Sequence, residues 1–347
     1  MNLLITGAAG FIGYSLTDRL SKNKKNTIIG IDNFNTYSGK DIKKLRIKKL
    51  KKYKNFKFLK IDIRNKKKID LLIKRNLFDV VIHLAAEVGV RYSILRPDKY
   101  VDTNIKGFFN VVDSLKYNQP KKFLFASSSS VYGDSKNFPL KENQILYPKN
   151  IYALSKKNNE ELAKIYSTKY STQFFALRFF TVFGELGRPD MFFFKSLNSI
   201  FNNKKLYLNN SGDHYRDFTY IKDVIKIIDK LVKKKTKKTF YTLNICSSKP
   251  VYLKKFVKII EKYSKKINLV NVLAHPADVY KTHGSNKKLL GLIKKMKFTK
   301  IDEAVKQYGF KNTSEFLRST VNYFFDFLEL KEKLKDPEIN RKFIEEH

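Results

Sequence analysis

The chain has 347 residues, 42% of them hydrophobic, with 29 Phe and 20 Tyr, enough apolar material for one large or two modest cores and too much for a disordered protein. Its net charge of +39, from 71 Lys and Arg against 32 Asp and Glu, would ordinarily direct attention to nucleic acid or an anionic membrane surface. Lysine far outnumbers arginine, whereas bidentate phosphate recognition favours arginine, so the excess reads as a solvated coat with no nucleic-acid or membrane partner, although it would still steer an acidic substrate.

Leu3 to Thr6 is a short apolar strand that runs directly into Gly7-Ala8-Ala9-Gly10-Phe11-Ile12-Gly13, with a helix-like stretch at 11–22. Glycines so placed let the backbone turn sharply and approach a pyrophosphate at the positive end of a helix. Gly7, Gly10, Phe11, Ile12 and Gly13 are therefore expected against a dinucleotide. Thr27 to Ile31 forms the second strand, followed by Asp32 and Asn33. A carboxylate there accepts from a ribose hydroxyl and repels a 2′-phosphate, so the expected cofactor is NAD rather than NADP. A helix at 40–52 leads to the strand Phe56 to Ile61; Asp62 and Ile63 then either flank an adenine ring or are an ordinary strand end.

A helix at 66–75 precedes the strand Val80 to His83, and Leu84-Ala85-Ala86 supplies small side chains where a sheet edge meets a dinucleotide. Asn104, in a helix expected at 98–117, is either a cofactor contact or a buried polar group of that helix. The strand Lys122 to Ser127 enters the cluster Ser127 to Ser130, and a helix at 150–170 carries Tyr152 and Lys156. Residues four apart share a helix face, so the ammonium can stand beside the phenol. A phenol titrates near ~10 unaided, and an adjacent cation is expected to lower that value and make Tyr152 a base for a sugar hydroxyl.

After the strand Phe174 to Leu177 the rhythm changes, with a helix near 190–202, a short strand at 206–208 and the segment Arg216-Asp217-Phe218-Thr219-Tyr220. A strand at Tyr241 to Ile245 returns to the sheet before helices near 252–264, 286–294 and 313–328. Such alternation signals right-handed βαβ units. The class is α/β, a Rossmann-type doubly wound parallel sheet with a smaller interleaved C-terminal substrate domain. The expected division is 1–180 with 217–247 for NAD, 181–216 with 248–330 for the substrate, and a charged tail at 331–347. Cys246 is the sole cysteine, which suits a reducing, cytoplasmic setting. No apolar run reaches the ~18 residues of a membrane span, and His83, His214, His275 and His283 lack metal-ligand spacing, so no metal is expected.

Five segments carry a resemblance: Ala85-Ala86-Glu87-Val88-Gly89-Val90-Arg91-Tyr92-Ser93, Ser127-Ser128-Ser129-Ser130-Val131-Tyr132-Gly133, Leu177-Arg178-Phe179-Phe180-Thr181-Val182-Phe183-Gly184, Gly187-Arg188-Pro189-Asp190-Met191 and Arg216-Asp217-Phe218-Thr219-Tyr220. Over about residues 1–283 and 308–328 the chain resembles the extended short-chain dehydrogenase/reductase family of nucleotide-sugar enzymes, most of all its UDP-glucuronate 4-epimerases. The resemblance implies 4-epimerisation of a UDP-sugar, with NAD used and regenerated through a 4-keto intermediate. It assigns proton removal to Tyr152, the nicotinamide ribose to Lys156, and a hydrogen bond to the reacting hydroxyl to Ser128. Ser127 would face the cofactor. Arg91, Ser129, Ser130, Thr181, Arg188, Arg216 and Asp278 would surround the sugar acid and nucleotide.

Related 4,6-dehydratases carry an Asp-Glu pair where Ser129 and Ser130 stand, and decarboxylating relatives place a glutamate at the position of Ser130. Hydroxyls there supply no strong base for a second reaction. The leading expectation is interconversion of UDP-glucuronate and UDP-galacturonate, with another UDP-hexose, N-acetylated or its uronic acid, as the alternative and an RNA-binding or scaffold role as the reading from another class. Relatives of this family are usually homodimers, and helices at 98–117 and 150–170, with Phe108, Phe109, Val112, Leu162 and Ile165, would supply either the dimer surface or core packing. Two departures stand out. His275-Pro276-Ala277-Asp278 has alanine where glycine is common, and residues 287–307 resemble an insertion that forms a longer surface helix or a changed subunit contact.

Overall fold

Leu3, Leu4 and Ile5, Val80, Val81 and Ile82, and Phe123, Leu124 and Phe125 are runs of consecutive buried residues, the pattern of strands covered on both faces. The computed structural model describes residues 1–37, 39–274 and 278–307. Its first half alternates β1 (Asn2–Thr6), α1 (Phe11–Ser21), β2 (Thr27–Asp32), α2 (Lys40–Leu50), β3 (Phe56–Lys60), α3 (Lys66–Lys74), β4 (Val80–His83), α4 (Val90–Leu95), α5 (Pro97–Tyr100), α6 (Gly107–Ser114), β5 (Lys122–Ser128), α7 (Ile151–Lys169) and β6 (Gln173–Phe179). The second half contains β7 (Thr181–Phe183), α8 (Phe192–Asn202), β8 (Leu206–Asn209), β9 (Tyr215–Tyr220), α9 (Ile221–Lys233), β10 (Phe240–Ile245), β11 (Pro250–Tyr252), α10 (Leu253–Lys262), β12 (Leu269–Val272), α11 (Lys287–Ile293) and α12 (Ile301–Gln307).

Seven strands form one parallel sheet in the order β10-β6-β5-β4-β1-β2-β3. The protein is thus α/β and Rossmann-type. The strand order reverses between β1 and β4, and ligands of such sheets bind at the carboxyl ends of the strands beside that reversal. A three-stranded sheet, β11-β9-β7, and a parallel pair, β12-β8, build the smaller lobe on the same side. Phe183, Phe193, Phe218 and Phe256 fill its centre, with the Phe218 and Phe256 rings 4.4 Å apart. Each such aromatic pair adds roughly 0.5–1.5 kcal/mol beyond simple burial.

Three expectations change. The single helix expected at 98–117 is instead α5, a π-helical turn at Val101–Lys106, and α6. The wider turn turns Asn104 inward, where it clamps the backbone of Glu87 through Oδ1 to its N–H (2.8 Å) and Nδ2 to its carbonyl (3.0 Å). Phe108 and Val112 are fully buried in the core and present no surface to a partner, whereas Phe109 and Ile165 stay exposed. The 287–307 stretch is no surface helix. Leu289, Ile293, Ala304 and Val305 of α11 and α12 are buried in the main core, and Thr299 between them donates its N–H to Asp223 of α9 at 2.7 Å. Helix α9, absent from the sequence expectations, packs its apolar face into that same core. The expected helix at 313–328, the family-like segment from Tyr308, the tail at 331–347, and His275, Pro276 and Ala277 lie outside the described residues.

Candidate active site

A cavity of about 730 Å³ lies between the carboxyl ends of the main sheet and the smaller lobe. On its sheet side β1 runs directly into Gly7, whose φ of +72° suits glycine. A Cβ there would stand 2.7 Å from the backbone N of Ala85, and one on Gly13 would stand 2.0 Å from the Gly7 carbonyl. Side chains are thus excluded by backbone, and α1 starts at the cavity wall with no side chain capping it from Gly10. Its first amides, lacking intrahelical acceptors, are suited to phosphate oxygens. Asp32 ends β2 and accepts from the Ala9 N–H (3.3 Å), the Phe34 N–H (2.8 Å) and Lys43 Nζ (3.3 Å).

Gly7, Gly10, Phe11, Ile12, Gly13, Asp32, Asn33, Ile63, Leu84, Ala85 and Ala86 all line this cavity. Asp62 and Asn104, each open between a cofactor contact and a structural role, do not, and their bonds fit the structural alternative. Burial alone would raise the Asp62 carboxyl, but Arg64 and Asn33 hold it below its usual range and occupy its oxygens. Asn104 spends its amide on Glu87 and on Ser155 Oγ (3.1 Å).

At the centre, β5 ends in Ser128 and the chain makes one tight helical turn through Ser129–Tyr132. Ser128 Oγ accepts from the Ser130 N–H at 3.1 Å and lies 3.1 Å from Ser130 Oγ. Asn150 caps α7 by accepting from the Ala153 N–H at 2.9 Å. Tyr152 therefore sits in the first turn, where the helix dipole favours negative charge. Lys156 Nζ lies 5.9 Å from the Tyr152 ring centre and donates to the Ala126 carbonyl at 2.9 Å. Burial pulls the Lys156 ammonium down to about 8. The expected lowering of Tyr152 is not the net direction among the protein's own groups: burial raises it, and the Ser128 hydrogen bond and Arg188 offset only part of that rise. Burial is the largest influence on the phenol, and Asp190 adds to the rise.

Beneath the serine turn lies a network that the sequence reading missed. Ser127 Oγ donates to Glu160 Oε1 at 2.5 Å, and Arg178 clasps both Glu160 oxygens at 2.9 and 2.7 Å. Arg178 Nη1 donates to the Tyr132 phenol (2.9 Å), which donates to Asn244 Oδ1 (2.7 Å). The available signal was Glu160, one helical turn beyond Lys156 on the same face.

On the lobe side Thr181, Arg188, Arg216 and Asp278 line the cavity, together with Arg91, Ser127, Ser128, Ser129 and Ser130 from the sheet side. Arg188 donates through Nε and Nη2 to Asp190 at 3.0 and 2.5 Å. Burial alone would lower the guanidinium, but Asp190 outweighs it and holds it charged, while Arg188 in turn keeps the Asp190 carboxyl low against its burial. Tyr37 adds a hydrogen bond to Asp190 at 3.3 Å. Arg91 pairs with Asp278 at 2.6 Å across the mouth, with side chains 42% and 31% exposed. Arg216 donates to the Tyr215 and Tyr280 carbonyls at 2.8 and 3.1 Å, and burial, opposed by Asp278, lowers it to about 10. Asn35, Tyr37, Lys43, Asp190, Tyr207 and Asn209 line the cavity without having been singled out. Asp190 was the most findable, two residues after Arg188.

The wall carboxylates among the described residues are Asp32, Asp190 and Asp278, and each faces a cation: Lys43, Arg188 and Arg91. Among the described residues no group of three His, Cys, Asp or Glu side chains converges as a metal site, and no helix is long and apolar enough to cross a membrane.

Residues 3–246 match the sequence model of the NAD dependent epimerase/dehydratase family. The chain is 38% identical over 304 residues to the protein CapI of Staphylococcus aureus, covering 82% of this chain and 90% of that one. It is 34% identical over 337 residues to the UDP-glucuronate 4-epimerase of Thermodesulfobacterium geofontis, covering 96% and 98% of the two. Its fold superposes on the UDP-glucuronic acid 4-epimerase of Bacillus cereus, solved with UDP-glucuronic acid and NAD, with a TM-score of 0.84 and 29% identity over 89% of this chain and 98% of that one.

Proposed function

The chain belongs to the NAD dependent epimerase/dehydratase family, and from that premise we propose that it is an NAD-dependent 4-epimerase interconverting UDP-glucuronate and UDP-galacturonate. One observation carries the reading: Tyr152, Lys156 and Ser128 meet Thr181, Arg188 and the hydroxyls of Ser129 and Ser130 around one cavity in which each wall carboxylate is paired with a cation. The residues fit a dinucleotide, since backbone fills the space where side chains on Gly7 and Gly13 would go and Asp32 stands at the end of β2. When bound, NAD supplies the reversible hydride acceptor that the chemistry requires.

Tyr152 removes the proton from the sugar 4-hydroxyl, and Ser128, hydrogen-bonded to that phenol, orders the transfer. Lys156, whose ammonium burial lowers to about 8 but which stays largely charged at neutral pH, would stabilise the tyrosinate and would hold the nicotinamide ribose. Arg188 and Thr181, with Ser129 and Ser130, receive the sugar carboxylate. A guanidinium suits that oxygen pair, and holding it opposes loss of carbon dioxide from the 4-keto acid. Arg216 takes the diphosphate, so the 4-keto sugar can swing about that linkage and present its other face. With Asp190 bound to Arg188, no unpaired wall carboxylate remains among the described residues to remove a second proton, which favours inversion over elimination.

The test is an NMR assay of the purified, NAD-loaded protein with UDP-glucuronate. Appearance of the UDP-galacturonate anomeric signal without net NADH is expected; an unchanged spectrum while UDP-glucose or an N-acetylated UDP-hexose turns over would replace the substrate. That second reading draws on Asp190, which balances the Arg188 charge without help from a substrate carboxylate. We further place the enzyme in the cytoplasm as a homodimer joined through the exposed Phe109 and Ile165 of α6 and α7. Phe109→Asp with Ile165→Asp should halve the mass seen by light scattering, and an unchanged mass would move the interface elsewhere.

A further inference from the structure

Arg46, on α2, is fully buried and does not line the cavity. Its hydrogen bonds go to backbone carbonyls of two separate loops. Nη1 donates to Ala9 in the glycine loop at 2.9 Å, and Nη2 donates to Leu186 at 2.6 Å and Gly187 at 3.0 Å. Nε has no partner among the described residues. Burial, opposed by Asp32, pulls the guanidinium down to about 9. An apolar side chain would fill this volume without the desolvation cost of a buried charge. What an apolar residue cannot do is bridge the two loops.

The bridge has a direction. Asp32 holds the Ala9 N–H, Arg46 holds the Ala9 carbonyl, and the same guanidinium fixes the two residues immediately before Arg188. Leu186 lies at φ +53°, a conformation that non-glycine residues seldom adopt and that needs external support. A second strap runs parallel, from the Tyr37 phenol to Asp190, which itself grips Arg188.

We propose that Arg46 is a positioning residue that ties the dinucleotide loop to the Arg188 turn, so that preference for a carboxylate-bearing sugar over its neutral counterpart depends on a side chain touching neither ligand. This rests on the proposal that Arg188 meets the sugar carboxylate. The experiment measures Kd for UDP-glucuronate, UDP-glucose and UDP on the NAD-loaded wild type, Arg46→Met and Arg188→Gln. In Arg46→Met the ratio of the UDP-glucose to the UDP-glucuronate Kd should fall about tenfold, as for the loss of a hydrogen bond to a charged group, while UDP affinity stays within about twofold. A ratio unchanged in Arg46→Met but lowered in Arg188→Gln overturns the positioning role and leaves the carboxylate assignment standing. A ratio unchanged in both overturns the two together. A merely structural role would lower Tm without moving the ratio. Should Arg46→Met fail to fold, Arg46→Lys, which keeps the charge but lacks the fork, is read by the same ratio: a fall supports the tie, and no fall refutes it.

Discussion

The two walls of the cavity are built by different means. The sheet wall is made of backbone: a glycine turn too tight for any Cβ, helix amides, and strand ends fixed by the sheet register. The lobe wall is made of side-chain charge: Arg188 with Asp190, Asp278 reaching across to Arg91 of the sheet side, and Arg216 resting on carbonyls. A wall of backbone should fail through steric collision or an orphaned buried charge, and the exposed part of the charged wall, at Arg91 and Asp278, should fail gently and in a salt-dependent way.

The contrast can be pressed at several places. Tyr152→Phe, where the walls meet, should cut turnover by about 10²–10⁴-fold with little change in substrate binding, the range for a lost general base; NMR progress curves measure it. Next, Glu160→Ala should destabilise the protein by roughly 3–5 kcal/mol, because it strands the buried Arg178. Urea unfolding checks this, and a cost under about 1 kcal/mol would show that the network beneath the serine turn relaxes. Gly7→Ala should cost about 1–3 kcal/mol through overpacking against Ala85 and release NAD, read as the absorbance of the purified protein.

Smaller effects belong to the lobe wall. Burial holds Tyr152 above its ordinary value, offset in part by Ser128 and Arg188, so the proton acceptor is more populated as pH rises and turnover should climb on the acid side. Arg188→Gln removes one of the lowering influences and should move that limb to higher pH; a pH profile that stays in place would detach Arg188 from the phenol. Arg91→Ala should change stability by less than about 1 kcal/mol, with the difference vanishing in salt, as for exposed ion pairs.

The same contrast explains what was legible. The main strands and the glycine turn could be read because doubly covered strands are continuous apolar runs and because the turn needs a residue without a side chain. β7 and β11 are each three residues long, too short for a period to register. Asn104 stayed open between a cofactor contact and a buried polar group because its clamp on Glu87, which makes it the latter, depends on a π-helical turn that local pattern does not announce. Phe108 and Phe109 are neighbours with opposite fates, one in the core and one exposed, and only the helix phase separates them. Arg46 sits among lysines in α2 with nothing local to set it apart; its carbonyl partners at Leu186 and Gly187 lie 140 and 141 residues away.

The strand order has a consequence for synthesis. β6 is complete at Phe179, but its partner β10 begins only at Phe240, after the chain has travelled through β7, β8 and β9. At about 5–20 residues per second a ribosome takes several seconds over that excursion. During this interval Gln173–Phe179, rich in aromatic side chains, forms an open sheet border on the nascent polypeptide. Such a border is a template for pairing with another chain, so the emerging protein is most prone to self-association before Ile245 has been added.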